Sequence, residues 1–370
     1  MKEFYAICSF GDDPASVISD CIQQLEDMPD EANFGFIYVS DDLESSLDSI
    51  LKKCKFKTGI QNWSGSLGVG ILTSDTEIYD QSAISIMLCE FPENEFKIIE
   101  TIKNSDEFDA KLSLPENSDS FFALMHIDAY NPESQILLDQ LEASVENCFI
   151  AGGITSSRGS QFHIANEVSS DGISGVIFSD KIQVHTNLSQ GCSPLGNKHT
   201  ITQSQDNVLI TLDNEPALDV FYSDIGEILA RDIQRAADFV FAGLCIPHSD
   251  KSDYMIRNLV GVDAEQKVFA INDNVNEGDK ILICKRDGES AKKDMLKMLE
   301  NLKRRLTSPI KGGVYISCLG RGREQFGDDS EEIKMIHQVL GDFPLTGFFA
   351  NGEIHNKHIY GYTGVLTLFT

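Results

Sequence analysis

Basic residues are scarce: Lys and Arg number 30 against 58 Asp and Glu, a formal charge of −28. An acid excess of this size repels nucleic acid and anionic membrane surfaces, which are recognised through basic patches. Nucleic acid is therefore not expected as a partner. Paired cysteines are lacking too. The nine cysteines form no C-x-x-C, and the closest two, Cys8 and Cys21, stand thirteen positions apart. A zinc knuckle or thioredoxin-like motif is excluded, leaving scattered buried thiols of a reducing compartment. Long apolar runs are also missing. The longest, Ala83 to Cys89, is broken by Ser85, where a bilayer span needs roughly 20 residues. Met1-Lys2-Glu3-Phe4 has neither the basic start nor the apolar run of a signal peptide. The expectation is a cytoplasmic protein without membrane insertion.

What is present is ordinary for a folded chain: 41% apolar and 24% charged residues. The 370 residues exceed the roughly 250–300 at which one core stops growing, so two domains are expected, 1–212 and 213–370, with the boundary near Leu212. One pattern recurs three times. Phe34–Ser40, Phe121–Ile127 and Gly313–Cys318 are apolar β-like runs, each followed by an amphipathic stretch and a return strand. Those returns carry or reach glycine at Gly65, Gly152-Gly153 and Gly347. Hairpins are expected after each: Leu67–Leu72 with Ala83–Cys89, Gly175–Phe178 with Ile182–Leu188, and Lys357–Tyr362 with Val365–Phe369. Further helices are expected over Ala217–Tyr222, Ile225–Phe239 and Lys292–Leu306. The fold class is α/β with α+β character. Two lobes of mixed, largely antiparallel sheets carry helices on their outer faces, built from strand–helix–strand–hairpin modules.

Candidate chemistry concentrates in Cys318-Leu319-Gly320-Arg321-Gly322-Arg323, between a strand and a helix. Glycine allows close backbone approach, and Arg321 and Arg323 can hold a carboxylate in bidentate fashion. The glycine spacing does not match the dinucleotide fingerprint. Gly347 and Glu353 lie on the segment expected beside this strand, so Glu353 and Arg321 could take the two poles of a zwitterion or simply pair with each other. Gly153 holds the equivalent place in the N-terminal half, and Arg257, in a predicted strand of the second domain, reaches the cleft or covers its edge. Gln190–Lys198 is a near miss for a phosphate loop, with its Lys one position late and no helix after it. His355 and His358 fall in a hairpin and His126 in an apolar strand, so no cofactor is predicted, and haem on an axial histidine is the one left open. No nucleophile–base motif rises above background; Cys318 and Cys192 are the thiols an enzyme reading would use.

Four segments together resemble the FIST family, whose name joins F-box with intracellular signal transduction. They are GGITSSRG (Gly152–Gly159), the stretch Gln190–Gly226, YMIRNLVGVD (Tyr254–Asp263) and the stretch Gly313–Ile354. The resemblance implies an N-terminal FIST region up to about Leu212, a C-terminal one after it, and a sensory role with a small polar ligand, amino acids being one suggestion. One branch of the family is haem-bound and responds to nitric oxide. With both regions allotted, no residues remain for an output module. The expectation is a sensor whose ligand lies between or beside the domains and whose signal passes to a separate protein such as a kinase or cyclase.

Overall fold

The repeated apolar run, amphipathic stretch and glycine-bearing return strand fold alike three times in a computed structural model. It describes residues 4–370 except 30, 117, 129, 231–238 and 247–253. In the first module β1 (Tyr5–Gly11) and α1 (Pro14–Gln24) lead to β2 (Phe34–Ser40), α2 (Leu47–Thr58) and β3 (Asn62–Gly68). A short hairpin follows, β4 (Gly70–Leu72) and β5 (Glu77–Tyr79), and β6 (Ser82–Cys89) closes the module. The second repeats the plan: β7 (Phe96–Ile102), α3 (Phe108–Lys111), β8 (Phe121–Ile127), α4 (Ser134–Ser144), β9 (Cys148–Ile154), the hairpin β10 (His163–Ala165) and β11 (Glu167–Ser169), then β12 (Ile173–Ser179).

The third module opens with β13 (Val184–Gln190) and is then interrupted. The intervening chain holds β14 (Cys192–Pro194), β15 (His199–Gln205), β16 (Val208–Leu212), β17 (Glu215–Pro216), α5 (Ala217–Ala230), β18 (Val240–Cys245), β19 (Tyr254–Arg257), β20 (Leu259–Asp263), β21 (Val268–Ile271) and β22 (Lys280–Arg286). The module resumes with α6 (Gly288–Arg305), β23 (Gly312–Cys318), α7 (Arg323–Phe326), α8 (Glu331–Leu340) and β24 (Leu345–Ala350). The hairpin β25 (Glu353–His355) and β26 (His358–Tyr360) and then β27 (Thr363–Phe369) complete it. The chain accordingly divides into one unit of Met1–Ser189, Met295–Ile359 and Thr363–Thr370, and a second of Gln190–Asp294 and Tyr360–Tyr362. Leu212, where the sequence suggested a boundary, lies in β16 within the second unit's core, with Ile201, Phe221 and Ile283. The helix expected over Ile225–Phe239 falls largely outside the described residues.

The glycines of the return strands have one cause. β2 and β3, β8 and β9, and β23 and β24 pair in parallel, with Gly65 opposite Ile37, Gly152 opposite Met125 and Gly347 opposite Tyr315. A Cβ at these three places would lie 1.7, 1.9 and 1.7 Å from the facing carbonyl oxygen. Only glycine lets each pair close.

Strand alternation then sorts the two faces of every sheet. On β2, Ile37 and Val39 turn toward Val17 and Cys21 of α1 and Leu47, Ile50 and Leu51 of α2. Phe34, Phe36 and Tyr38 turn the other way, into a core that also takes Phe122, Phe178, Val314, Ile316, Phe348 and Phe369 from the other two modules. Helices thus cover the outer faces, and the inner faces of three sheets share one aromatic core. The sheet orders are β1-β6-β2-β3-β10-β11, β26-β25-β9-β8-β12-β7 and β13-β27-β23-β24-β4-β5. In each, the closing strand lies between the opening strand and the first strand of the parallel pair.

One expectation is corrected by these orders. The long hairpins drawn from sequence do not form. β6 pairs with β1 and β2, β12 with β7 and β8, and β27 with β13 and β23, so no closing strand lies beside the segment expected to turn back on it. Short hairpins form instead, and each leaves its own module. β4–β5 of the first joins β24 of the third, β10–β11 of the second joins β3 of the first, and β25–β26 of the third joins β9 of the second. Two or three residues of the edge beyond each parallel pair are covered this way, which shortens the bare strand there.

Gly347→Ala must force β24 away from β23. Chemical denaturation should show a loss of at least about 2 kcal/mol, against about 0.5 kcal/mol or less for Gly261→Ala, where an added Cβ meets nothing within 4 Å.

Candidate functional site

The segment singled out in the sequence begins where β23 ends. The chain turns at once, with Leu319 N–H donating to Ala350 C=O (3.0 Å) and Arg321 N–H to Cys318 C=O (2.9 Å). Gly322 sits at φ 50°, and a Cβ there would lie 1.9 Å from Tyr79 Oη. Ser330 precedes α8 at φ 55°, and its Oγ accepts from Glu77 N–H at 3.0 Å in place of capping the helix.

This geometry folds Arg321 inward until it is fully buried. Its partner is Glu332, in the first turn of α8. Nε and Nη2 both donate to Glu332 Oε1, at 3.0 and 2.8 Å, and Nη1 donates to Ser189 C=O at 3.3 Å. The guanidinium lies 4.9 Å from the centre of the Phe326 ring. Glu332 is equally well supplied, accepting from Tyr315 O–H (2.5 Å), Ser317 O–H (3.0 Å) and Gly322 N–H (2.9 Å). Behind it, Glu77 accepts from Glu332 N–H (3.0 Å) and Tyr79 O–H (2.6 Å). Burial and then the Glu332 carboxylate push the Glu77 carboxyl up from its ordinary value. A buried ion pair is tolerated when every donor and acceptor is met, and here the network is close to complete. Arg323 faces outward, paired to Asp80 at 2.6 Å with its guanidinium 4.6 Å from the Tyr79 ring centre.

Glu353 is therefore not the ion-pair partner of Arg321, because Nε and Nη2 are taken by Glu332 and Nη1 by the Ser189 carbonyl. Its own setting is different. It starts β25, opposite Gly153 of β9, and is wholly buried. Oε2 accepts from Thr363 N–H (3.1 Å) and O–H (2.7 Å), while Oε1 is buried with no hydrogen-bond partner. Burial pushes this carboxyl up to about 8, against the opposing pull of Thr363, Arg321 and the Cys318 thiol. At neutral pH it is a neutral acid. Cys318 is itself buried.

Of the other residues singled out, Gly347 and Gly153 serve strand packing. A Cβ on Gly153 would lie 2.7 Å from Ile316 Cγ2. Arg257 belongs to the second unit, where its Nε meets Asp273 at 2.6 Å. The chain thus brings Cys318, Arg321, Gly322, Gly153 and Glu353 into the first unit's interior, sets Arg323 at its surface, and gives Arg257 to the other unit. Glu332, Glu77, Tyr79 and Tyr315 complete the network without having been singled out. Glu332 stood in an acidic run, Asp328-Asp329-Ser330-Glu331-Glu332, with nothing local to mark it.

Four of the described histidines, His126, His163, His199 and His337, are committed within the protein. His126 is buried and uses both nitrogens, toward Tyr38 O–H (3.1 Å) and Ser64 O–H (3.5 Å). His163 meets Ser174 at 2.6 Å, and its other nitrogen is sealed in the interior. His199 lies between Asp213 (2.7 Å) and Asp224 (2.9 Å), and His337 is held by two backbone carbonyls. His355 and His358 sit in the short hairpin, His355 packed against the Phe149 ring. His185 opens onto a groove of about 350 Å³ with a mostly polar surface, unlike a porphyrin slot.

Comparison with known proteins agrees with the sequence resemblance. Residues 33–215 match the FIST N domain and residues 217–356 the FIST C domain. An uncharacterized protein found in two Mycobacterium tuberculosis strains is 27% identical over 324 residues, 82% of this chain and 82% of its own. An uncharacterized Mycobacterium bovis protein is 28% identical over 255 residues, 65% of this chain and 66% of its own.

Two outcomes test the site's electrostatics. Arg321→Met strands the Glu332 carboxylate in the interior and should cost about 3–5 kcal/mol by urea denaturation, much of it recovered when Glu332 is also made apolar. For Glu353, the folded chain keeps a proton that the unfolded chain has released above about 4.5, so stability falls as pH rises toward about 8. Glu353→Gln should flatten that decline in a pH series of melting temperatures; an unchanged slope would refute the buried neutral acid.

Proposed function

Because the chain belongs to the FIST family, we propose that it is a sensory protein whose small polar ligand engages Glu353 and Cys318 beside the buried Arg321. FIST domains are associated with signal transduction, and an amino acid is the ligand class the family resemblance suggests. The observation that carries this reading is the Glu353 carboxyl, wholly buried with one oxygen unmet. A buried polar atom without a partner costs about 1–3 kcal/mol, and a ligand that supplied the missing partner would recover that cost.

The setting suits a switch. Glu353 begins a hairpin whose strands are three residues each, and short strands with few hydrogen bonds open at low cost. A ligand reaching Glu353 would favour the opened hairpin, and that population shift would be read by a separate signalling protein such as a kinase or cyclase. Arg321 and Glu332 act as the fixed wall, since their donors and acceptors are spent on each other. Arg323, at the surface beside them, is the cation an approaching anion would meet first.

The test is a thermal-shift and calorimetric screen of the free amino acids and related polar metabolites. A true ligand should raise stability by about 2.7 kcal/mol at a hundred times its dissociation constant. Glu353→Ala should abolish the shift, and Arg323→Gln should weaken it. Undiminished affinity in Glu353→Ala would rule out this placement.

A further inference from the structure

A second group of unspent side chains lies elsewhere in the first unit, in the groove of about 350 Å³ onto which His185 opens. Its apolar floor is Phe121, Phe122 and Phe149, from the starts of β8 and β9, and the Phe122 and Phe149 rings stack in near-parallel planes at 6.2 Å and 9°. His185 and Arg305, the last residue of α6, stand over it, and Asp180 is the one carboxylate in its lining. Arg305 Nη2 donates to Thr186 C=O at 2.8 Å. Among the described residues Arg305 has no ion pair and His185 no hydrogen bond. Burial and then Arg305 hold the His185 imidazole below its ordinary pKa, so at neutral pH it is uncharged and free to donate one hydrogen bond.

We propose that this groove binds a small aromatic carboxylate, its ring against Phe121 and Phe149 and its carboxylate on Arg305 and His185. The volume falls at the lower end of the range for small-molecule sites, about 300–1,000 Å³. The guanidinium supplies the planar, two-donor face that carboxylates fit. Aromatic side chains with a few convergent polar groups are the composition such sites share. The mostly polar surface around the floor favours a ring that carries a hydroxyl over a bare hydrocarbon. The site uses none of the Glu353 cluster and stands whether or not that cluster binds a ligand.

The probe is 4-hydroxybenzoate, with the uncharged 4-hydroxybenzamide as its isostere, followed by calorimetry on the full chain. The benzoate should bind once per chain and at least about tenfold more tightly than the amide, since a hydrogen bond to a charged group is worth that much. Arg305→Gln should remove this preference, and Phe149→Leu should weaken both probes. Arg305 is exposed, so Arg305→Gln should melt like the parent, whereas Phe149 is half-buried against the core, so its variant's binding is read beside its own melting curve. Glu353→Gln should leave binding unchanged. Equal affinity for acid and amide, an unaffected Arg305→Gln variant, loss of binding in Glu353→Gln, or no saturable binding in the low millimolar range would each overturn the assignment.

Discussion

The first unit depends on three backbone contacts. Each parallel strand pair closes over a glycine, and any side chain at Gly65, Gly152 or Gly347 would collide with the carbonyl it faces. Closure at these points aligns the inward residues, so that Phe34, Phe36 and Tyr38 meet Phe122, Val314, Ile316 and Phe348 in one core. It also sets what lies at the outer face. Tyr315, opposite Gly347, reaches Glu332 from there and helps to fix the Arg321 network. Fold and candidate site thus share a cause: the glycine that lets β24 approach β23 also positions the tyrosine that anchors the buried acid.

The network and Glu353 show two ways of keeping a carboxyl in the interior. Glu332 is surrounded by a guanidinium, two hydroxyls and an amide. Glu353 has Thr363 on one oxygen, and the combined pull of Thr363, Arg321 and the Cys318 thiol is outweighed by burial, so it takes up a proton. The first is rigid, since every change strands a partner. The second holds one unmet atom and loses less on rearrangement, which is why the sensory reading falls on it and not on Arg321.

Much of this was legible in the sequence, for reasons that can be named. The three-fold repeat was legible because a glycine recurs on or after each return strand, although the parallel pairing that requires those glycines was not read from it. Cys318, Arg321 and Glu353 were singled out because a glycine-rich turn after a strand has few structural uses. The identity of Arg321's partner was hidden: Glu332 lies in a run of acids, and the distinction arises only when Tyr315 and Ser317 point at it. Glu77 could not be reached at all, since it joins Glu332 from another module, 255 positions away. The hairpins were misplaced for a related reason. Alternation and turn residues say that a strand turns, not which sheet edge receives it. The interruption of the third module was hidden too: the second unit begins directly at the end of β13, and the Gly191, Pro194 and Gly196 found there read as a near miss for a phosphate loop and not as a boundary.

The hairpin exchange bears on how the chain is made. β4–β5 is synthesised some 270 residues before the edge it completes, β24, with most of the second unit between them. β9 likewise waits for β25, some 200 residues further on. No module is finished by its own residues, so a growing chain carries open strand edges until the partner module has been made. Long sequence separation between partners slows folding and lengthens exposure to wrong pairings. The cyclic topology therefore makes assembly a collective event, in which the strands of the third module release the earlier modules from waiting.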